Sequence, residues 1–221
     1  MKNELFNDIY SKLIKQLPIY WDGREIINYL KNNGSKQWKQ MEWAGFYFQF
    51  MCEKILQQDN FFEIPGKKYG NVQFDGYKKI NFDFKAHSIL PGSSSDIPTN
   101  GFEAIKSAID EYLEVCFIVA SGDVTFDDEN QSFKKWHDAL KGKTSKYETQ
   151  RINRGATSRR RKTSFSLREI TFFLVNKNNL GIAKTFQGGM RNSDGSPRAP
   201  KVMINLDSKD FEKYVFQINR P

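Results

Sequence analysis

The chain has 221 residues, of which 38% are hydrophobic and 27% charged, and its formal net charge is +8. That length suits one α/β domain with a substantial core, and the basic balance suits a polyanionic partner. No run is long and apolar enough to span a membrane, no signal-peptide apolar run follows Met1, and two cysteines and two histidines so scattered do not make a structural zinc site, so membrane, secreted and zinc-folded classes are set aside.

Leu5, Phe6, Ile9, Leu13, Ile14 and Leu17 recur at helical spacing before Pro18, which predicts a first helix. Asp22 is an N-cap candidate for a second, with Ile26, Ile27 and Leu30 facing inward and Gly34 placed to end it. This pair reads as packed helices, or as an arm for dimerisation or for cradling DNA. A third helix is expected from Ser35 to Gln57, with Met41, Ala44, Phe48, Met51, Cys52 and Ile55 as its apolar stripe. Cys52 and Cys116 lie in apolar stretches and read as buried free thiols in a reducing compartment.

Phe61 to Ile64 reads as a short strand, followed by a turn from Pro65 to Gly70. Val72-Gln73-Phe74-Asp75 alternates at period two, Gly76-Tyr77-Lys78-Lys79 reads as a reversal, and Ile80 to His87 alternates again. In the second run Ile80, Phe82, Phe84 and Ala86 share one face, and Asn81, Asp83, Lys85 and His87 share the other. A hairpin of the two runs would bring Asp75 near Asp83, beside Lys85. Two facing carboxylates repel unless a cation lies between them, and hard oxygen ligands suit Mg²⁺. A lysine beside that cation could hold and polarise a water, which is the equipment of metal-assisted phosphodiester hydrolysis. His87 shares the face and reads as a proton-transfer aid or as a plain hydrogen-bonding residue.

The polar loop from Pro91 to Asn100 hangs directly after this hairpin, a position suited to contact with a substrate backbone. Asn100 is placed to cap a helix from Gly101 to Leu113. Val115 to Ala120 is an uninterrupted apolar run and reads as a strand buried on both faces. A helix between Asn130 and Leu140 carries Phe133, Trp136 and Leu140. From Lys141 to Arg168 ten cations face one acid, Glu148, with no apolar periodicity before Phe165. So many like charges repel one another, and a phosphate backbone would relieve that repulsion and release counterions. Arg159, Arg160, Arg161 and Lys162 sit in this stretch, which reads as an arm that embraces DNA and orders on it.

Glu169 to Val175 is a strand, Asn176 to Asn179 a turn and Leu180 to Phe186 its returning partner. The loop from Gln187 to Pro200 carries two adjacent glycines, which let backbone approach a ligand closely. Gln and Asn can each pair doubly with adenine in the major groove and Arg with guanine, so Gln187, Arg191, Asn192 and Arg198 form a candidate base-reading set. A strand from Lys201 to Leu206 follows. Asp207 and Ser208 are placed to cap a last helix that buries Phe211, Tyr214, Val215 and Ile218.

The set Asp75, Asp83 and Lys85 on paired strands resembles the PD-(D/E)xK nuclease superfamily, best known from type II restriction endonucleases. Phe74 stands where the motif's proline would be, a departure shared by many members. The resemblance implies a central mixed β-sheet flanked by helices, with the N-terminal helical pair before it and C-terminal strands and a helix after it. It implies a single nuclease domain over 1–221: helices in 1–34, catalytic core in 35–120, basic arm in 141–168 and recognition loop in 187–200. It implies Mg²⁺ on Asp75 and Asp83, with Lys85 orienting the water. An acid on the helix before the hairpin often joins such sites, which makes Glu42 the candidate and Glu53 its competitor; the other reading of Glu42 is a surface carboxylate favoured by the helix N-terminus. The expected activity is site-specific cleavage of double-stranded DNA by a homodimer in a bacterial or archaeal cytoplasm. Other readings are a repair or recombination nuclease of the same fold, or a non-enzymatic nucleic-acid-binding protein whose Asp/Lys strand is only a charged sheet face.

Overall fold

The computed structural model describes residues 2–92, 94–144, 146–186 and 199–218. It is an α/β protein. Helices α1 (Lys2–Ile14), α2 (Gly23–Asn32) and α3 (Trp43–Leu56) come first, with a short strand β1 (Tyr20–Asp22) between the first two. Strands β2 (Lys68–Tyr69), β3 (Val72–Gln73), β4 (Gly76–Lys78) and β5 (Ile80–Ile89) follow, then β6 (Asp96–Gly101), α4 (Phe102–Tyr112) and the long β7 (Glu114–Phe126). Helices α5 (Ser132–Lys141) and α6 (Lys146–Asn153) lead to β8 (Lys162–Asn176), a single-turn α7 (Lys177–Leu180), β9 (Lys184–Phe186), β10 (Lys201–Asn205) and β11 (Glu212–Gln217).

The main sheet runs β1-β8-β7-β5-β4, and β11 also pairs with β8. Strands β5 and β7 are parallel, joined through β6 and α4, and the other pairings are antiparallel. A smaller sheet, β6-β10-β9, and the β2/β3 ribbon lie beside it. Val115 to Ala120 of β7 are fully buried, because helices cover one face of the main sheet and α4 with the small sheet covers the other. Phe82, Phe84, Cys116 and Ile118 pack towards α1–α3, where Trp21 stacks on Phe165 at 4.5 Å and Phe6 on Phe172 at 4.9 Å. Val115, Phe117, Val119 and Phe173 pack towards α4 with Ile105 and Ile109. Each such aromatic or aliphatic side chain contributes about 1.5–3 kcal/mol by leaving water.

Local signals act as expected at several places. The Asp22 carboxylate accepts the Arg24 and Glu25 N–H groups at 2.8 and 3.1 Å and starts α2, and Gly34, at φ 77°, ends the turn after it. Cys52 and Cys116 are buried free thiols. Among the described residues no helix is long and apolar enough to cross a membrane.

Elsewhere tertiary pairing overrides the expected element. The third helix begins at Trp43, not Ser35, because Ser35 caps a separate 3₁₀ turn over Lys36–Lys39 and Gln40 is extended. Of Phe61 to Ile64 only Glu63 bridges to another strand, at Tyr77. Gly76 to Lys78 is itself strand, with the reversal at Lys79 (φ 64°), and Val72–Gln73 pairs with β2. The Pro91–Asn100 loop gives way to β6 at Asp96, which pairs with β10. The basic stretch is partly α6 and partly β8. Lys177–Leu180 is helical, and β9 pairs with β10 rather than returning on β8. The expected C-terminal helix is β11, because Tyr214 and Phe216 alternate with Val215 at period two: the rings pack on Phe6, Phe172 and Tyr10 while Val215 lies on the opposite face.

Candidate active site

Alternation along β5 sends Phe82 and Phe84 into the helix-side core and leaves Asp83, Lys85 and His87 on the other face, the face of Phe117 and Val119 in the neighbouring strand. Asp83 is buried there, in direct contact with the Lys85 ammonium through one oxygen and with the Asn100 side-chain amide through the other. Asn100 reaches Asp83 from β6, the strand that leads into α4. Its expected capping role is not taken: Gly101 precedes α4 and no side chain caps it.

Asp75 stands just before β4. Its N–H donates to the Phe82 carbonyl at 3.1 Å, and its carboxylate Oδ2 accepts the Phe84 N–H at 2.7 Å. The carboxylate thus occupies the open edge of β5 where a further strand residue would pair, between Asp83 and Lys85 in the sequence. On its other side Oδ1 accepts the Gln49 amide from α3 at 2.8 Å, and the same Gln49 nitrogen donates to Glu53 at 2.8 Å. The three sequence-predicted residues Asp75, Asp83 and Lys85 are brought together, although the expected reversal over residues 76–79 tightens to Lys79 and Gly76–Lys78 pair with β5 as strand.

Charge in the site is unbalanced. Burial raises the Asp75 carboxyl above its ordinary value, while the Lys85 charge and the Phe84 N–H hold it back. Burial takes the Lys85 ammonium down to about 8; Asp75 opposes that fall and Lys201 adds to it. Contact with Asp83 also favours the charged ammonium. Glu53 is raised by burial, relieved by Gln49 and raised further by Asp75. Asp75, Asp83 and, through Gln49, Glu53 stand against the Lys85 ammonium and nearby Lys201, so acids outnumber cations and an added cation lowers the energy.

Among the described residues no three His, Cys, Asp or Glu side chains come together as a ready-made ligand set. Mg²⁺ keeps several waters and is commonly held by one or two carboxylates, so the donor set it asks for is no larger than Asp75 and Asp83. Each carboxylate oxygen named above has accepted one donor and retains a lone pair. The residues present fit that ion.

Glu42 is placed elsewhere. It is the N-cap residue of α3, 54% exposed, and its carboxylate pairs with Lys162 at 2.7 Å. Seven residues of helix, ~10 Å of rise, separate it from Gln49. The acid that α3 turns towards Asp75 is Glu53, through Gln49. Sequence carried a signal for this pair: Gln49 and Glu53 are polar, one turn apart, inside a helix otherwise rich in apolar residues. Asn100 had no such signal, because its partner arrives through the sheet.

The basic arm is also redistributed. Arg159 is exposed; Arg160 is exposed but donates to the Asp127 carbonyl at 2.8 Å. Arg161 is only 8% exposed, so it lies beneath the surface rather than on an arm, and Lys162 is engaged by Glu42. Gln187, Arg191, Asn192 and Arg198 lie outside the described residues.

Beyond Lys85, a cleft of about 380 Å³ opens at His87 and is floored by Ser121 of β7 and by Glu169, Thr171 and Phe173 of β8. Burial and nearby Lys162 lower the His87 imidazole, while Asp207 and Glu169 raise it. No family model, no curated protein and no solved structure matches the chain.

Proposed function

We propose that the protein is a Mg²⁺-dependent nuclease that hydrolyses phosphodiester bonds in double-stranded DNA at specific sites, as type II restriction endonucleases do. The observation that carries this reading is the Asp75 carboxylate on the Phe84 N–H, which sets it on the β5 edge between Asp83 and Lys85. A structural ion pair needs one carboxylate for one ammonium; here a second, buried carboxylate is added on the same strand edge.

In this reading Asp75 and Asp83 hold Mg²⁺, which when bound supplies a Lewis acid for the scissile phosphate and an acidified water. Lys85 orients the attacking water and offsets charge that develops on the phosphorane. An ammonium taken down to about 8 gives up its proton more readily than an exposed lysine. Asn100 fixes Asp83 and Gln49 fixes Asp75, so neither carboxylate must reorganise as charge builds. The net charge of +8 favours the polyanion. One site per chain and two strands to cut call for a two-fold homodimer on a palindromic sequence.

The test is incubation of supercoiled plasmid with the protein in Mg²⁺ and in EDTA. Discrete fragments in Mg²⁺ only are expected, lost in Asp83→Ala and in Lys85→Ala while DNA binding persists. Undiminished cleavage by both variants removes the assignment, and an intact plasmid with wild-type protein leaves a DNA-binding protein without catalysis.

A further inference from the structure

The cleft beyond Lys85 lies on the same sheet face as the candidate site, and His87 at its mouth is two residues, ~6.6 Å, along β5 from Lys85. Its volume of about 380 Å³ falls in the ~300–1,000 Å³ range of sites for small organic groups. It is too small for a duplex.

The walls are of two kinds. Val215 and Leu206 in the lining offer apolar surface to a flat ring, above a floor that includes buried Phe173. The polar groups include two carboxylate acceptors, Glu169 and Asp207. The Glu169 carboxylate accepts the Thr171 hydroxyl at 3.2 Å and the Gln217 amide at 2.6 Å, which fix its orientation and leave lone pairs free. Asp207 is held by the Ser95 hydroxyl. Lys213, which donates to the Leu206 carbonyl at 2.9 Å, is the cation of the lining. Two carboxylates disfavour a phosphate in the cleft and favour a ring that presents N–H groups.

We propose that this cleft receives a single unstacked nucleobase, guanine, from the strand whose phosphate lies at Lys85, with the Glu169 carboxylate accepting from its Watson–Crick edge. Guanine presents N1–H and the exocyclic amine side by side, which match the two oxygens of one carboxylate as a guanidinium does. Adenine and cytosine offer an amine without a neighbouring ring N–H, and thymine offers a lone ring N–H. The ring packs against Val215 and Leu206. The inference rests on the nuclease reading for its source of DNA, and it deepens that reading: extruding a base selects sequence at the point of cutting, and an unpaired base is cheaper to extrude.

The experiment titrates full-length protein, without divalent metal, with dGMP, dAMP, dCMP and TMP, by calorimetry and by amide chemical shifts. The expected result is dGMP at least tenfold tighter than TMP, with shifts at Ser121, Glu169, Thr171 and Lys213. Glu169→Gln should cost dGMP at least tenfold. Val215→Trp, at a position 46% exposed and so tolerant of a larger side chain, should fill the cleft and remove dGMP binding without unfolding the protein. Equal binding of all four nucleotides, shifts elsewhere on the surface, or dGMP affinity unmoved by both variants overturns the proposal. Plasmid cleavage by a protein whose cleft ignores dGMP overturns this inference and leaves the nuclease standing. Cleft binding of dGMP by a protein that cuts nothing supports the site and removes the nuclease.

Discussion

Gln49 reaches from α3 to the Asp75 carboxylate at 2.8 Å and holds Glu53 with the same amide nitrogen. One neutral side chain therefore sits between two acids and keeps the one on the β5 edge in place. Partners that orient metal-binding groups are worth ~10–100-fold in affinity or activity. Gln49→Ala is expected to weaken Mg²⁺-dependent cleavage by about that factor, read as a higher Mg²⁺ requirement. Glu42→Ala, which loses only an exposed pair worth ~0–1 kcal/mol, should cut at the wild-type rate. Equal losses in the two variants would return Glu42 to the site.

Asn100 makes the corresponding contact with Asp83. Asn100→Ala should slow single-turnover cleavage about tenfold at saturating Mg²⁺ with DNA binding unchanged, since Asp83 loses a donor but keeps Lys85. Asn100→Asp places a second anion against Asp83 and should be slower still at neutral pH. An aspartate variant as fast as wild type would mean that the contact does not position Asp83.

The Lys85 ammonium should titrate near 8 rather than at the ordinary ~10.4, observable through its side-chain nitrogen by NMR. Asp75 raises the Lys85 value, so Asp75→Asn removes an anion and should lower it further. A rise in that variant, or an unperturbed lysine in wild type, would show that burial is not the controlling influence.

His137 gives a pH signature in stability. It is buried against Trp38 and Trp136, its Nε2 lies 2.9 Å from the Trp38 carbonyl, and burial takes it down to about 4. The unfolded chain binds a proton near 6.5 and the folded one does not, so stability is present above 6.5 and is lost as pH falls towards 4. Between pH 7 and pH 5 the loss is about 2 kcal/mol, read as a lower urea midpoint. His137→Gln should flatten that slope; an unchanged slope would place the acid sensitivity elsewhere.

The cations of the arm should separate by burial. Arg159→Ala, at an exposed position, should lower the salt slope of DNA binding by ~0.9 for its lost phosphate contact. Arg161→Ala should instead lower the melting temperature, since that side chain is packed under the surface. A slope insensitive to Arg159 would remove it from the DNA interface.

Sequence alone determined what periodicity encodes. The first two helices, the doubly buried strand at Val115–Ala120 and the two faces of Ile80–His87 follow from spacing, because burial of one face is a local pattern. It also determined that Asp83 and Lys85 are neighbours, since alternate residues on a strand share a face. Tertiary structure decided the rest. The C-terminal Asp207–Ile218 segment holds residues compatible with either period, and pairing with β8 made it a strand. Asn100 left its helix for Asp83, Glu42 went to Lys162, and Gln49 brought Glu53 towards Asp75. Each of those outcomes depends on a partner distant in the chain, and a side chain's hydrogen bonds are chosen by what folding sets beside it.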